Sequence, residues 1–234
     1  MDFKMDWQRQ DRIGLPEAIH AQSKSPEQIA AVLSEARALG VAVLVTRLDP
    51  EKHRALGPEC VDTLDYDPLS RTAILAGSGA PQALDLDVAI VTGGLADMPT
   101  AREAARTLAF SGVTVTEYPD IGVAGLWRLM ERIEDIRSHD VVIAVAGMEG
   151  AIFSVLGGLI AAPLIAVPAP VGDGVAEGGH AALTSALASC ASGILSVNIG
   201  NGFGAAHAAM RMARLKRPAG CDRYLNRDSY CLRG

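Results

Sequence analysis

Cys190 is the residue of this chain with the clearest capacity for covalent chemistry, because a cysteine thiolate is a strong nucleophile. It lies in the segment SALASCASGILSVNIGNGFGA, residues 185–205, in which a glycine-rich turn follows the cysteine. By its residues alone, the segment favours a cysteine packed inside an alanine-rich helix. The alternative is a nucleophile, which requires an accessible thiolate in an electropositive environment, and no histidine lies beside it in the sequence. The residues leave both interpretations open.

Four other ionisable residues follow glycine-rich turns or lie near them. Asp97 and Glu149 occur at predicted helix starts, where helix capping competes with ribose binding for Asp97 and with acid–base chemistry for Glu149. Asp173 lies in a glycine-rich loop that is either a lid or a solvated surface segment. Arg128 follows Trp127 and either neutralises a phosphate or forms a surface ion pair.

Aliphatic runs that start near residues 87, 112, 140, 162 and 193 predict the strands that position these residues. Helical patterns lie between and after them, over residues 99–110, 122–137, 150–160, 179–192 and 205–215. Regular alternation of strand and helix is typical of an α/β fold whose parallel sheet is covered on both faces. Ligands of such sheets bind at the carboxyl ends of the strands.

The segments that follow four of these strands all contain glycine. They read TGGLAD, AGMEGA, VPAPVGDG and NIGNGFGAA. Glycine allows backbone N–H groups to approach a ligand closely, and a turn that opens a helix favours an anion. One such loop is explained by a tight turn, but four at one sheet edge predict an anion or nucleotide site. None is a GxGxxG fingerprint or a P-loop, so standard dinucleotide-binding and ATP-hydrolysing folds find no support.

The first part of the chain predicts a separate small α/β domain. In KSPEQIAAVLSEARALG, Ser25 and Gln28 form a capping box, Pro26 occupies the first helical position, and Gly40 ends the helix. VAVLVT and TAILAG read as strands, and residues 77–86 as a linker. The predicted division is therefore a small N-terminal domain over 1–80, a catalytic domain over 81–216 and a polar tail over 217–234, whose Cys221 and Cys231 are interpreted as non-catalytic.

Composition narrows the class of protein. Of 234 residues, 49% are hydrophobic and only 4% aromatic, which is typical of parallel α/β proteins, and the formal charge is −6. No long basic run suggests a nucleic acid or an anionic membrane as partner. The four cysteines form no CxxC pair, so no metal site is predicted. No apolar stretch is long enough to span a membrane, and we expect a soluble cytoplasmic protein with reduced thiols.

Three segments carry a resemblance to a known family: EYPDIGVAGLWRLM, VVIAVAGMEGAIFSVLGGLIAAPLIAVPAPVG and SCASGILSVNIGNGFGAAHAA. Together with RIGLPEAIHAQSKSPEQI near the start, they resemble LarB, the carboxylase/hydrolase of nickel-pincer nucleotide biosynthesis. The resemblance covers roughly residues 10–216. It implies a three-layer, flavodoxin-like catalytic domain similar to PurE-type aminoimidazole ribonucleotide carboxylases. It also implies a homo-oligomer, an octamer in that family.

The resemblance implies a reaction. LarB-like enzymes add CO2 to C5 of the pyridinium ring of nicotinic acid adenine dinucleotide and hydrolyse its diphosphate, giving pyridinium-3,5-biscarboxylate mononucleotide and AMP. The family's nucleophilic cysteine matches Cys190 in SCASG, and its motif glutamate matches Glu149 in GMEGA, as base or orienting group. CO2 or bicarbonate is then a substrate and no organic cofactor is needed. Whether Mg2+ assists the hydrolysis is left open.

The glycine-rich loops and the resemblance together predict a substrate site at the sheet edge. It comprises Gly93, Gly94, Asp97, Gly122, Arg128, Gly147, Met148, Gly172, Asp173, Asn201 and Gly202.

Several loops depart from the family pattern. Leu95 and Ala96 replace hydroxyl residues, and Trp127 replaces a histidine. Asp173 replaces a tyrosine, and Gly200 an aspartate. These changes affect the predicted diphosphate hydrolysis and the predicted identity of the substrate more than they affect the predicted role of Cys190.

Three alternatives therefore stay open. One is an aminoimidazole ribonucleotide carboxylase or mutase that needs no thiol, although the missing hydroxyl at Ala96 counts against it. Another is a divergent pyridine-nucleotide carboxylase with a different substrate or without hydrolysis. The last is a nucleotide-binding protein without catalytic activity.

Overall fold

The computed structural model describes residues 4–79 and 83–216. Its first part folds around a four-stranded sheet. The strands are β1 (Ala18–His20), β2 (Val43–Thr46), β3 (Leu64–Asp67) and β4 (Thr72–Leu75). Their order is β1-β2-β4-β3, with β1 and β2 parallel and the other pairs antiparallel. The helices of this part are α1 (Arg9–Ile13), α2 (Pro26–Leu39), α3 (Pro50–Ala55) and α4 (Pro58–Val61).

Helix α2 forms as its end signals predict. The Gln28 N–H donates to Ser25 Oγ at 3.3 Å, and the Ser25 N–H donates to Gln28 Oε1 at 2.9 Å. The helix ends at Gly40, whose φ of 67° places it in the left-handed region. One face of the helix, which includes Ile29 and Leu33, is fully buried in the core of this small domain.

The second part contains a five-stranded, all-parallel sheet. Its strands are β5 (Asp87–Thr92), β6 (Thr114–Tyr118), β7 (Val141–Ala146), β8 (Leu164–Pro168) and β9 (Leu195–Ser196). They lie in the order β6-β5-β7-β8-β9. This is the flavodoxin-like order, in which the chain reverses its direction of winding beside the first strand. The predicted α/β fold with a parallel sheet is confirmed.

Helices cover both faces of this sheet and give three layers. They are α5 (Met98–Phe110), α6 (Leu126–Met130), α7 (Ile133–Arg137), α8 (Ala151–Leu159), α9 (His180–Ala188) and α10 (Gly202–Ala213). Helices α5 and α10 pack on one face with Val88 and Ile90, while α6 to α9 pack on the other with Ala89 and Val91. Because successive strand residues point to opposite faces, both sets are apolar and β5 reads as one continuous hydrophobic run.

Two predicted helices differ from the structure. The helix expected over residues 122–137 is broken into a short 3-10 turn, α6 and α7, with Glu131 and Arg132 between the two α-helices. The helix expected over residues 179–192 ends at Ala188. It ends there because the backbone of Ser189 is extended, with φ −63° and ψ 138°. The Ser189 side chain accepts the Ala191 N–H, which in a longer helix would donate to a backbone carbonyl. Cys190 therefore lies in a bend.

Some expectations fall on parts of the chain outside the described residues. The predicted domain boundary at residues 80 and 81 is one of them. The predicted tail over 217–234, with Cys221 and Cys231, is another. Within residues 4–79 and 83–216, no helix is both long and apolar enough to cross a membrane.

Candidate active site

Two loops meet at the point where the winding of the large sheet reverses. Strand β5 lies between β6 and β7, so the loop after β5 leads away to one side and the loop after β7 to the other. The first loop contains Gly93, Gly94 and Asp97, and the second contains Gly147 and Glu149. Such a crevice at the carboxyl ends of the strands is where open α/β sheets bind ligands. The structure thus brings both predicted loops to one place.

Asp97 ties these two loops together. Its side chain is buried, and its Oδ2 accepts the Gly94 N–H at 2.8 Å while its Oδ1 accepts the Gly147 N–H at 3.0 Å. Burial is the largest influence on the pKa of Asp97 and raises it, and the two N–H donors oppose that effect. Both carboxylate oxygens are engaged with backbone, so the residue shapes the crevice by holding its two sides together.

Close backbone contacts bring two further loops to the same edge. A Cβ at Gly122 would lie 2.4 Å from the Gly93 carbonyl oxygen, and one at Gly147 would lie 2.0 Å from the Val171 carbonyl oxygen. Neither position has room for a side chain. The loops after β5 and β6 are therefore in contact, as are those after β7 and β8.

Three exposed residues of this edge are Met148, Glu149 and Asp173. Met148 has a positive φ of 50°, which is rare for a non-glycine residue, and its N–H donates to the Val171 carbonyl at 3.0 Å. The turn therefore holds the next residue, Glu149, in the exposed loop just before α8. Gly172 and Asp173 lie in the neighbouring loop after β8, where the Asp173 carbonyl accepts the Ala176 N–H.

Arg128 lies on α6, which follows the loop after β6. Its Nη1 is 3.4 Å from Asp120 Oδ2, a long contact for a hydrogen bond. Its Nε is buried and has no hydrogen-bond partner among the described residues. Because the ion pair with Asp120 is long and partly exposed, it leaves the guanidinium available to an anion.

Asn201 and Gly202 begin α10 at the same edge of the sheet. Asn201 Oδ1 accepts the Gly204 N–H at 2.8 Å and so caps the helix. A Cβ at Gly202 would lie 2.3 Å from the Thr100 carbonyl oxygen, so α10 packs closely against α5. Both contacts are structural and lie on the face covered by those two helices.

Cys190 lies at the opposite edge of the sheet. Helix α9 ends before it and β9 begins after it, so the cysteine precedes the amino end of its strand. Just beyond it, residues 192–194 and 160–164 line a cavity of about 290 Å³ at the amino ends of β8 and β9. The five residues of β8 span roughly 13 Å between the two edges. Within a single copy of the chain, Cys190 and Glu149 therefore lie at opposite edges of the sheet.

The environment of Cys190 also excludes a packing role in the core of this copy. Its side chain is exposed, whereas Cys60 is buried in the small domain. Ser189 Oγ lies 2.7 Å from Ser154 Oγ on α8 and accepts the Ala191 N–H at 3.1 Å. These bonds hold the residues on either side of the cysteine. The accessible thiol required by the nucleophile interpretation is present.

A buried ion pair between the two domains was not predicted from the sequence. Glu103 on α5 is only 3% exposed and accepts hydrogen bonds from Arg47 Nε at 3.1 Å and from the Phe203 N–H at 3.3 Å. Arg47 also donates to the Gly200 carbonyl. Burial raises the pKa of Glu103, and the positive charge of Arg47 opposes that rise. The signal in the sequence is a carboxylate within the run of alanines that faces the core.

No metal centre is evident in the described ranges, 4–79 and 83–216, because no group of three His, Cys, Asp or Glu side chains converges there. The candidate site consists of loop backbone, the buried carboxylate of Asp97, the exposed side chains of Glu149 and Asp173, and the half-buried side chain of Arg128.

Comparison with known proteins assigns the chain to a family. Residues 2–77 match the LarB/PurE-like N-terminal domain, and residues 87–227 match the AIR carboxylase domain. An uncharacterized protein of Methanocaldococcus jannaschii is 34% identical over 222 residues, covering 91% of this chain and 84% of that protein. A crystal structure of a PurE2 variant from Treponema denticola aligns with a TM-score of 0.46 at 21% identity, covering 56% of this chain and 81% of that one. The two family matches indicate a carboxylase-related enzyme. With a LarB/PurE-like N-terminal domain followed by an AIR carboxylase domain, the chain is a member of the LarB-like family.

Proposed function

We propose that the protein carboxylates C5 of the pyridinium ring of nicotinic acid adenine dinucleotide and hydrolyses the diphosphate with one water. The products are pyridinium-3,5-biscarboxylate mononucleotide and AMP. The observation that carries this proposal is the exposed, hydrogen-bonded turn around Cys190 in a chain that has both LarB-like domains.

A thiolate gives this ring the reactivity it lacks. A pyridinium ring is electron-poor, so C5 does not attack CO2. The Cys190 thiolate adds to the adjacent ring carbon and forms a C–S bond, and the ring becomes a neutral dihydropyridine that is nucleophilic at C5. C5 then bonds to CO2, a base removes the C5 proton, and the electron pair of that C–H bond restores the aromatic ring as the thiolate leaves.

Glu149 is the proposed base or orienting group, since it is an exposed carboxylate at the reversal-point crevice. Arg128 is the proposed phosphate ligand, because its ion pair with Asp120 is long, at 3.4 Å, and partly exposed. Both assignments place the ring of the substrate at the carboxyl edge of the sheet.

The two halves of this chemistry come from different copies of the chain. Glu149 and Cys190 lie at opposite edges of one sheet, and strand β8, which is roughly 13 Å long, separates these edges, so one copy does not bring both to a single ring. Leu187 and Leu195 near the cysteine are 72% and 48% exposed, and Met148 and Val171 beside Glu149 are 50% and 36% exposed. Apolar side chains exposed at both edges favour burial against another copy. We propose a homo-oligomer, an octamer by family resemblance, that places Cys190 of one copy against the crevice of another.

The test is incubation of the full chain with nicotinic acid adenine dinucleotide and labelled bicarbonate, followed by mass spectrometry. We expect a product that carries one additional labelled carboxyl group, together with AMP, and no such product from Cys190→Ala. A gain of carboxyl that persists unchanged in Cys190→Ala would exclude the covalent mechanism.

A mixing experiment tests the sharing of the site. Cys190→Ala and Glu149→Gln are each expected to be inactive, but after the two proteins are co-refolded, some sites combine an intact cysteine with an intact glutamate. Activity should then return to at most about a quarter of wild type, because random assortment leaves that fraction of sites complete. No recovery in an oligomer shown to be mixed would contradict a shared site.

The match to the AIR carboxylase domain favours a second candidate, carboxylation of aminoimidazole ribonucleotide without a thiol. That activity would survive in Cys190→Ala, so the same variant separates the two reactions.

A further inference from the structure

Trp127 is an exposed aromatic residue on a helix that is anchored in the core. Its side chain is 64% exposed, while Leu129 of the same short helix is fully buried. Two helical residues correspond to about 200° of rotation, so Trp127 points away from the core when Leu129 points into it. The indole is therefore not part of the packing between α6 and the sheet.

The indole of Trp127 and the guanidinium of Arg128 both lie close to Gly125. A Cβ at Gly125 would lie 3.3 Å from Trp127 Nε1 and 2.9 Å from Arg128 Nε. Both side chains therefore fold back over the backbone at Gly125, where the missing side chain leaves them room. The same turn begins at Gly122, where a Cβ would lie 2.4 Å from the Gly93 carbonyl oxygen, so the turn packs closely against the loop that forms one side of the crevice. An aromatic surface and a cationic group converge at one side of the candidate site.

This pair has a defined binding chemistry. The face of an indole attracts cations, more strongly than the face of a tyrosine or phenylalanine. A guanidinium binds carboxylate and phosphate through several parallel N–H donors. A ligand that suits both is a planar cationic ring that also carries an anionic group.

We propose that Trp127 stacks on the cationic ring of a pyridine nucleotide while Arg128 holds a carboxylate or phosphate of the same molecule. This inference rests on the proposed function and adds the residue that recognises the ring. Because the family motif has a histidine at this position, this chain would contact the same ring through a different side chain.

Fluorescence offers a direct test, since the chain has only two tryptophans. Trp7 lies in the small domain, where its Nε1 donates to Glu35, so Trp7→Phe leaves Trp127 as the sole indole. Cys190→Ala is added to prevent turnover. Titration with nicotinic acid adenine dinucleotide and with nicotinic acid mononucleotide should quench the emission and produce a long-wavelength charge-transfer absorption. AMP, which has no pyridinium ring, should do neither.

Binding constants provide the second readout. Trp127→Ala should weaken binding of nicotinic acid mononucleotide about tenfold, and Trp127→Phe by less, since phenylalanine keeps a π-face. Leu126→Ala is the matched control, because Leu126 is 47% exposed on the same helix and should leave the affinity unchanged.

The outcomes separate this inference from the proposed function. Quenching and weakened binding in Trp127→Ala support stacking whether or not the wild type carboxylates the nucleotide. Unchanged emission and affinity, with carboxylation intact, overturn the role of Trp127 alone. Quenching by AMP as strong as that by the pyridinium compounds shows that the indole takes the adenine base, and this result also overturns the inference.

Discussion

The carboxylate of Asp97 accepts a hydrogen bond from the backbone N–H of Gly147 at 3.0 Å, across a sequence separation of 50 residues. The same carboxylate accepts the Gly94 N–H, so one side chain sets the spacing between the loops after β5 and β7. The width of the crevice therefore depends on a group that itself contacts backbone on both sides.

Replacing Asp97 with asparagine should lower the free energy of unfolding, although asparagine has nearly the same shape. In Asp97→Asn, one of the two N–H groups loses its acceptor, because asparagine offers a single oxygen. We expect the free energy of unfolding to fall by about 1–3 kcal/mol, measured by urea denaturation. The matched control is Asp173→Asn, an exposed carboxylate at the same edge, which should change it by at most about 0.5 kcal/mol. Equal effects of the two substitutions would contradict the bridging role.

The stability difference between wild type and Asp97→Asn should depend on pH. The native state raises the pKa of Asp97, chiefly through burial, so the folded protein holds this proton more tightly than the unfolded chain. Its contribution is then fully present below the ordinary pKa, about 3.9, and is lost as pH rises through the native value. Urea denaturation should show the difference shifting in favour of wild type as pH falls from neutral toward about 4. A shift in the opposite direction would show that the hydrogen bonds outweigh burial.

Two glycine-to-alanine substitutions should change the free energy of unfolding in opposite directions. Gly122→Ala places a methyl group 2.4 Å from a carbonyl oxygen, whereas Gly158→Ala on α8 meets no atom within 4 Å. We expect the first to lower the free energy of unfolding by about 1–3 kcal/mol and the second to raise it by up to about 1 kcal/mol. Paired thermal and urea denaturation measures both. Destabilisation by both alanines would mean that the contact at Gly93 is not the cause.

Substitutions of Arg47 and Glu103 should have non-additive effects on the free energy of unfolding. Arg47→Ala leaves the buried carboxylate without its cation, and we expect a loss of about 1–3 kcal/mol. Glu103→Gln in the same chain should restore part of that loss, because the uncompensated charge is gone. A double-mutant cycle by urea denaturation measures the coupling, and strictly additive effects would argue against it.

The hydroxyl pair of Ser189 and Ser154 lies beside Cys190. Its loss should lower the rate of catalysis more than it changes the accessibility of the thiol. Ser189→Ala removes the acceptor for the Ala191 N–H and the contact with Ser154. If carboxylation proceeds as proposed, we expect kcat to fall at least tenfold, since small misplacements of reacting groups are costly. KM and the rate of Cys190 alkylation, followed by peptide mapping, should change by less than about twofold. Ser189→Thr keeps the hydroxyl and should restore much of kcat, and an equal loss in both variants would exclude the hydroxyl as the cause.

Local signals predicted most of the scaffold. The five parallel strands and the capping box of α2 follow from aliphatic runs and from Ser25 and Gln28, because these depend on neighbours in the sequence. The partners of Glu103 could not be predicted in this way, since Arg47 is 56 residues away and reaches it only after the domains dock.

The bend at Cys190 was not predicted from the sequence because it depends on one local side-chain contact. Its segment has helical residues, but the Ser189 side chain captures the Ala191 N–H and stops α9 two residues before the cysteine. The predicted glycine loops did assemble at one edge, because strand ends in a parallel sheet must. The cysteine precedes its strand, so the same rule places it at the other edge.

The buried carboxylate of Glu103 also bears on how this architecture can evolve. It caps the start of α10 from within the large domain, yet its balancing charge is supplied by the small one. In a descendant that lost the small domain, Glu103 would lack the positive charge of Arg47, and we expect a neutral residue at position 103. The buried ion pair of Arg47 and Glu103 therefore links the inheritance of the two domains, and the charge at position 103 should change together with the presence of the N-terminal domain.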